Sequence, residues 1–379
     1  MRLPASGVYA VHTGKDSVNY LHESYYSKAN ISDESQKIIK HLSFLETGLK
    51  TSKPFLLGIP SDNGGGILRG ANYGPLFLRL ALLENFKNNN EKVDHFFEQM
   101  PFLDLGDIPI IPHFLHDKYL NQAIIKKAQK AIYSPSFLKN APKNSLPVSP
   151  LSIAQKVSSN IFQKFPDKHL LSLGGDHSVS YPLVTEFIKQ KRKEGKKIAI
   201  LHFDAHTDLL AERLGVDLCF GTWAHAISQE LKSSEPFIQV GIRASGKPKS
   251  HWESILPVRQ FWANECQQLG PSIISKKIKS ILKKFQVDSV YLSFDIDALD
   301  YLYAPSTGTP EKAGLSPDFC SFIIKDIHHQ HPIHSADLVE VAPHLNFSWK
   351  DPSSHNPHAH LTTKNSSMII LKTILDLWS

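Results

Sequence analysis

Seven short apolar runs, at residues 55–60, 102–106, 169–173, 197–203, 237–242, 289–294 and 336–341, recur along the chain with helical stretches between most of them. Runs that are apolar throughout, rather than alternating apolar and polar, are what strands covered on both faces require. Alternation of such strands with helices predicts an α/β fold built on an open or doubly wound parallel sheet. The helical signals lie near 76–83, 121–132, 150–165 and 368–378, the third showing Ile153, Val157, Ile161 and Phe165 at helical spacing after a Ser149-Pro150 start. Residues 1–52 are polar and irregular, with one helix predicted over 33–49 and capped by Ser32 or Asp33. They read as an N-terminal extension packed on a domain spanning 53–379.

The 379 residues, 41% hydrophobic and 21% charged, suit one large α/β domain or two smaller ones. The net charge of +6 is spread along the chain, so the Lys-rich stretches 187–197 and 276–284 read as solvated helix faces rather than a nucleic-acid surface. Cys219, Cys266 and Cys320 form neither a C-x-x-C pair nor an even framework, which points to a reducing, cytoplasmic setting. No run approaches the ~18 apolar residues that span a bilayer. No membrane partner is expected.

Three of the strand ends carry the chemistry: Gly174-Gly175-Asp176-His177, Asp204-Ala205-His206-Thr207-Asp208 and Asp295-Ile296-Asp297. Alternate residues of an extended segment point the same way, so Asp204, His206 and Asp208 can face one site, and Asp295 and Asp297 repeat the device. Ligands of open parallel sheets bind beyond the carboxyl ends of the strands, where His177 and Glu340 also fall. A single Asp at a strand end commonly caps the next helix. Three such groups on three strand ends outweigh that role. Four carboxylates in one pocket repel one another unless positive charge lies between them, and two divalent cations would supply it. Four carboxylates and two imidazoles, with no thiolate, favour Mn²⁺, with Fe²⁺, Co²⁺ or Ni²⁺ as alternatives, over structural zinc.

At these residues the sequence resembles the ureohydrolase superfamily of arginases, agmatinases, guanidinobutyrases and formiminoglutamases. The matching stretches are Gly174 to Ser178, Phe203 to Asp208, Ser293 to Asp300, Ala304-Pro305-Ser306-Thr307-Gly308-Thr309-Pro310, Gly314-Leu315-Ser316 and Asp337 to Pro343. Arg69-Gly70-Ala71-Asn72-Tyr73-Gly74-Pro75 looks like the family's Gly-Ala-x-x-Gly-Pro turn. The resemblance implies a three-layer α/β/α sandwich around a mostly parallel eight-stranded sheet, in a homotrimer or hexamer. It also implies that His177, Asp204, Asp208 and Asp295 hold one metal and Asp204, His206, Asp295 and Asp297 the other. By the same resemblance the activity is that of a hydrolase acting on non-peptide C–N bonds of linear amidines. Asp208 would relay a proton to the leaving nitrogen, Glu340 would orient a cationic guanidino substrate, and Thr309 would belong with the substrate-facing residues.

The chain departs from the arginase pattern on the substrate side. Leu210 stands where arginases carry an Asn for the amino acid end of the substrate, and Ala244-Ser245-Gly246 replaces an acidic residue used for the α-amino group. Phe220 stands where a proton-shuttling His is usual, and His225 reads either as a substitute proton carrier or as an ordinary histidine on a helix face. Phe220 and Trp223 read either as an aromatic wall giving a cation–π contact to a small guanidinium or as loop aromatics packed into the core or a subunit contact. The substrate is therefore expected to be agmatine-like, a guanidino acid or free guanidine rather than arginine, with urea released. Formimino hydrolysis releasing formamide is the alternative within the superfamily. A reading of another class is a catalytically silent family member acting as a binding or regulatory subunit, opposed by the complete ligand set; a single-zinc deacetylase of related fold is opposed by the excess of carboxylates. The histidines of 344–360, among them His355, His358 and His360, read as a solvated loop.

Overall fold

A computed structural model describes residues 1–7, 15–26, 33–89, 99–141, 146–348 and 351–379. The core is one sheet of eight strands, in the order β2-β1-β3-β8-β7-β4-β5-β6. The strands are β1 (Phe55–Ile59), β2 (Leu103–Asp107), β3 (Leu170–Gly174), β4 (Ile198–Phe203), β5 (Phe237–Ile242), β6 (Val258–Trp262), β7 (Ser289–Asp295) and β8 (Ile333–Val339). All neighbours pair in parallel, a stricter arrangement than the mostly parallel sheet expected. Every residue of β1 to β5 and β7 is buried, which is why these runs read as continuously apolar. The edge strand β6 has no counterpart among the seven expected runs. Its Arg259 is exposed and its Gln260 is polar, so it lacks the apolar signature.

Helices fall into two contacting series, as a three-layer fold requires. One contains α6 (Pro150–Lys164), α7 (Ser180–Lys193) and α8 (Trp223–Glu230). The other contains α1 (Lys15–Tyr26), α3 (Gly74–Asn89), α10 (Ala263–Lys284), α11 (Pro317–His328) and α12 (Ala359–Asp376). The closing helix is longer than the 368–378 expected, because its first half buries Thr363, Ser366 and Ser367 rather than an apolar stripe. The remaining helices are α2 (Glu34–Gly48), α4 (Gln122–Ile132), α5 (Pro135–Asn140) and α9 (Lys249–Ile255).

Asp33 caps α2 by accepting from Ser35 N; the alternative cap, Ser32, lies outside the described residues. Helix α1 was not anticipated, yet it buries Leu21, His22, Tyr25 and Tyr26. Ahead of it, Arg2 pairs with Asp107 in an isolated antiparallel bridge on the sheet's β2 edge, covering backbone that would otherwise be free to pair with another chain.

The order of strands positions the site. The chain leaves β3 for β4 across two places that β8 and β7 fill only later, so β3, β8, β7 and β4 become neighbours at the centre of the sheet. Their carboxyl ends carry His177, Glu340, Asp295 with Asp297, and Asp204. The loops above them approach closely: a side chain at Gly175 would collide with the Ser61 backbone, and one at Gly74 would lie 2.8 Å from the Val341 carbonyl oxygen. The latter explains a glycine in the Gly-Ala-x-x-Gly-Pro turn.

Candidate metal centre

His177 opens a short 3₁₀ turn after β3, and its imidazole enters a nest of carboxylates. Nδ1 lies 3.3 Å from Asp204 Oδ2, 3.3 Å from Asp208 Oδ2 and 3.0 Å from Asp295 Oδ2. On the other side of Asp204, His206 Nδ1 lies 3.5 Å from Asp204 Oδ1 and 3.1 Å from Asp297 Oδ2. All six expected ligands therefore converge, with Asp204 between the two histidines. Asp204, Asp208, Asp295, Asp297 and His177 are all buried, and His206 is partly exposed.

Backbone amides hold this arrangement. His206 N donates to Asp204 Oδ1 at 2.6 Å, Ala205 N to Asp297 Oδ1 at 3.1 Å and Asp297 N to Asp295 Oδ1 at 2.8 Å. Asp208 adopts a left-handed φ of 53° and Glu340 one of 62°, conformations that non-glycine residues hold only when their surroundings enforce them. For Asp208 the constraint includes Trp223, whose indole N–H donates to Oδ2 at 2.9 Å. For Glu340 it includes both ends: its backbone N–H donates to Gly175 O at 2.9 Å, and its Oε1 accepts from His177 N at 2.8 Å.

The protonation pattern at His177 follows from its partners. Ser293 Oγ donates to Asp337 Oδ1 at 2.8 Å, so its hydroxyl proton is committed, and at 3.0 Å from His177 Nε2 it accepts the imidazole N–H. The neutral imidazole then turns its Nδ1 lone pair, buried and without a hydrogen bond, toward three carboxylates, a position that a proton fills in the metal-free protein and a metal ion can take over. An acceptor aimed at acceptors is unfavourable as it stands and is the arrangement a cation resolves.

Electrostatics lead to the same requirement. Among the described residues, the ion-pair partners of Asp204, Asp208, Asp295 and Asp297 are histidines in every case. Ligand atoms of His177, His202, Asp204 and Asp208 all lie within 4.8 Å of one another. Two like charges at that separation repel by about 3 to 4 kcal/mol at an effective dielectric near 20. Burial, followed by the neighbouring carboxylates, drives the Asp208 and Asp295 carboxyls well above their usual range. Burial also opposes ionisation of Asp204, but the donors His177, His202 and His206 prevail and hold it well below. For His206 burial works against charge, and Asp297 with Asp204 overcomes it, raising the imidazole to about 12. Without added cations the cluster binds protons in place of metal. The donor set of four carboxylates and two imidazoles fits two divalent ions.

Several expected site residues have other partners than those foreseen. Trp223 is fully buried beneath the centre, with ring centroids 4.6 Å from His177 and 5.0 Å from His202, so it cannot present a face to substrate. The reason is its indole N–H, which the buried Asp208 carboxylate claims. Thr309 is committed to the metal cluster, donating from Oγ1 to Asp297 Oδ2 at 3.1 Å. Phe220 is partly exposed and held by its N–H to Gly64 O, but a guanidinium from this chain, that of Arg213, stacks on its ring at 4.7 Å. His225 sits in the first turn of α8, partly buried, its backbone N–H bonded to Asp208 O at 3.1 Å. Leu210 is exposed, and Ser245 Oγ accepts from the Trp252 indole instead of serving the crevice.

Glu340 stays partly open to the crevice. Burial first, and then Asp295, Asp176 and Asp62, push its carboxyl well above the usual range. Such a group favours a cationic neighbour. The histidines after 344 do not join the centre: His344 packs edge-on against Tyr73 at 4.4 Å, and neither of the two potential metal-holding groups among the described residues includes them.

Sequence reasoning missed His202, Ser293 and Asp337 as parts of the site. The first two lie inside apolar runs, and their only signal is a polar residue placed two before a ligand, on the same side of the strand: His202 before Asp204, and Ser293 before Asp295.

A parallel sheet with a six-residue His and Asp cluster at its carboxyl ends defines a binuclear metal-centre architecture. The description "Arginase family" matches residues 52–357, and the chain belongs to that family. Among its relatives, guanidinobutyrase of Pseudomonas aeruginosa is 34% identical over 290 residues, covering 76% of this chain and 78% of that protein. The mitochondrial guanidino acid hydrolase of Homo sapiens is 28% identical over 295 residues, covering 77% and 72%. Among solved structures, formimidoylglutamase from Bacillus subtilis shares the fold with a TM-score of 0.62 at 21% identity, covering 86% of each chain.

Proposed function

We propose that the protein is a binuclear metal-dependent hydrolase that cleaves a C–N bond of a guanidino compound other than arginine, in the manner of an agmatinase or a hydrolase of compact guanidino substrates. In the balanced reaction water adds to the guanidinium carbon, the bond to the substituted nitrogen breaks, and urea and a protonated amine leave. The observation that carries this reading is the buried, unpartnered Nδ1 of His177 enclosed by carboxylates of Asp204, Asp208 and Asp295. It is supported by relatives named for guanidino substrates.

In this reading His177, Asp204, Asp208 and Asp295 hold one ion and Asp204, His206, Asp295 and Asp297 the other, with Mn²⁺ first and Ni²⁺, Co²⁺ or Fe²⁺ as alternatives. Bound there, such ions lower the pKa of a water into the neutral range and supply Lewis acidity. The chain does the rest. Asp208, its carboxylate steered by Trp223, passes a proton to the leaving nitrogen, and Glu340 pairs with the substrate's cationic nitrogens, a fit suited to guanidinium geometry. His225 serves as a second proton carrier, and Phe220 flanks the substrate from the loop. Trp223 and Thr309 act by orienting Asp208 and Asp297. The enzyme works in the cytoplasm as a homotrimer or hexamer, with residues 1–52 as an extension on the catalytic domain of 53–379. Nucleic acid and membranes are not partners; among the described residues no helix is long and apolar enough to cross a membrane.

The test is a panel assay of the Mn²⁺-loaded protein with agmatine, guanidino acids, free guanidine, arginine and a formimino amino acid. Urea release is expected from one of the first three classes at a rate at least about tenfold above arginine, a difference of about 1.4 kcal/mol in the barrier. Arginine as the best substrate would overturn the specificity, and formamide as the sole product would replace the reading with formimino hydrolysis, which the loop position of Phe220 also permits. Replacement His225→Ala should lower kcat by about 100-fold, as loss of a general acid does.

A further inference from the structure

A single row of register partners crosses six strands directly beneath the metal centre: Ser172 on β3, Asp337 on β8, Ser293 on β7, His202 on β4, Gln239 on β5 and Gln260 on β6. Partners in register share a face of the sheet. All six are buried, in a layer otherwise built from aliphatic and aromatic side chains. Such a stripe is unfavourable wherever a polar atom goes unmatched; Ser172 Oγ has no partner, and the hydrogen bonds of the other five are informative.

The directions of these bonds can be read from groups that act only one way. The indole N–H of Trp262 can only donate, and it gives its proton to Gln260 Oε1 at 3.0 Å. That fixes the Gln260 amide, whose Nε2 donates to Gln239 Oε1 at 2.8 Å. Gln239 Nε2 then spends its two protons on Thr207 O, a pure acceptor, at 2.7 Å and on His202 Nδ1 at 3.0 Å. With Nδ1 accepting, the His202 proton sits on Nε2, which lies 2.9 Å from Asp204 Oδ2. The other half of the row does the same for His177: Tyr291 OH and Ser293 Oγ both donate to Asp337, which leaves Ser293 to receive His177 Nε2–H. One floor thus orients a ligand on each side of the centre.

By proximity alone His202 groups with His177, Asp204 and Asp208 as a potential metal ligand. We infer that His202 is instead a positioning residue: the Trp262–Gln260–Gln239 chain locks it as an Nε2–H donor that aims the Asp204 carboxylate between the two metal sites. A locked donor has no lone pair to offer an ion on that nitrogen, and its other nitrogen is occupied by Gln239. The inference rests on the metal-centre reading above and adds the group that sets the geometry of the carboxylate shared by both ions.

The experiment is Mn²⁺ titration, with kcat and KM for the guanidino substrate, on the full chain and on His202→Leu, His202→Gln and Gln239→Met. In His202→Leu the affinity for Mn²⁺ should fall about 10- to 100-fold, as for other partners of metal ligands, and kcat should fall while KM stays within about threefold. His202→Gln places an amide N–H where the imidazole N–H stood and should recover most of both. Gln239→Met keeps His202 but removes the hydrogen bond that orients its ring, and should cost about 3- to 10-fold in affinity. It also serves if His202→Leu fails to fold. Folded His202→Leu with unaltered Mn²⁺ affinity would overturn the inference. So would equal impairment of His202→Gln and His202→Leu, the result expected of a true ligand or of packing alone. If the unaltered chain binds no Mn²⁺, the metal-centre reading itself falls and takes the inference with it, an outcome distinct from the other two.

Discussion

Two clusters of buried carboxylates sit in this sheet, and they are neutralised in opposite ways. At the β2 edge, Asp104 and Asp107 share Arg79 from α3: Nε and Nη2 reach Asp104 at 2.7 and 2.9 Å, and Nη1 reaches Asp107 at 2.6 Å. Arg79 is itself fully buried, so the chain supplies its own permanent cation. Tyr25 OH donates to Asp104 at 3.3 Å and Gly7 N to Asp107 at 3.1 Å, which ties the N-terminal residues to this pair. At the centre of the sheet the ion-pair partners of Asp204, Asp208, Asp295 and Asp297 among the described residues are histidines, none of them a permanent cation. The first cluster carries its own cation as folded and serves structure. The second is short of positive charge, and that shortage is what makes it a site for metal and for a cationic substrate.

The sharpest way to separate the two is to remove one charge from each. Asp295→Ala should abolish measurable urea release, a loss on the order of 10³-fold or more, because Lewis-acid stabilisation worth several kcal/mol goes with the ligand. Metal content should drop, while thermal unfolding of the metal-free protein should show no loss of stability, since a buried carboxyl whose ionisation its surroundings oppose has gone. Unchanged activity would break the distinction. Arg79→Met should do the reverse: it strands two buried carboxylates and lowers stability by about 3 to 5 kcal/mol in denaturant titration, with activity per folded molecule retained. A smaller effect separates them without mutation. Mn²⁺ at about a hundred times its Kd should raise the unfolding free energy of the unaltered chain by about 2.7 kcal/mol and leave Asp295→Ala nearly unmoved.

The response to pH extends the comparison. In the metal-free protein His177, His206, Asp208 and Asp295 all hold protons more tightly than in an unfolded chain. Groups raised in this way contribute stability that is present below their unfolded pKa values and lost as pH rises through the folded ones. For His206 that window runs from 6.5 to about 12. Metal must displace those protons, so Mn²⁺ affinity should rise with pH and binding should release protons. Calorimetry in buffers of different ionisation enthalpy reads the release directly, and an affinity that falls as pH rises would contradict the protonated cluster.

Much of the site was legible because it lies at strand ends with a two-residue period. Asp204, His206 and Asp208, and again Asp295 and Asp297, are close in sequence, so alternation alone puts them on one side. Less legible was anything that depends on which strand lies beside which. Strand β6 was missed because Arg259 and Gln260 break its apolar run, yet its Trp262 and Gln260 begin the chain of bonds that ends at Asp204. Trp223 looked like a substrate wall because its loop follows the metal motif; its indole instead turns inward to Asp208, 15 positions away. Thr309 shows the same limit. Its motif placed it near substrate, and its hydroxyl is committed to Asp297.

By itself, the sequence determined the chemistry: which residue types gather at the ends of buried strands, the charge they lack, and the class of ion and substrate that would supply it. Those are properties of short segments and of a repeat of two residues. Only the tertiary structure decided where the protons point, because His177 takes its tautomer from Ser293, 116 positions on, and His202 takes its own from Gln239 on the neighbouring strand. Hydrogen-bond direction belongs to the register between strands distant in the chain, and no local pattern encodes that register.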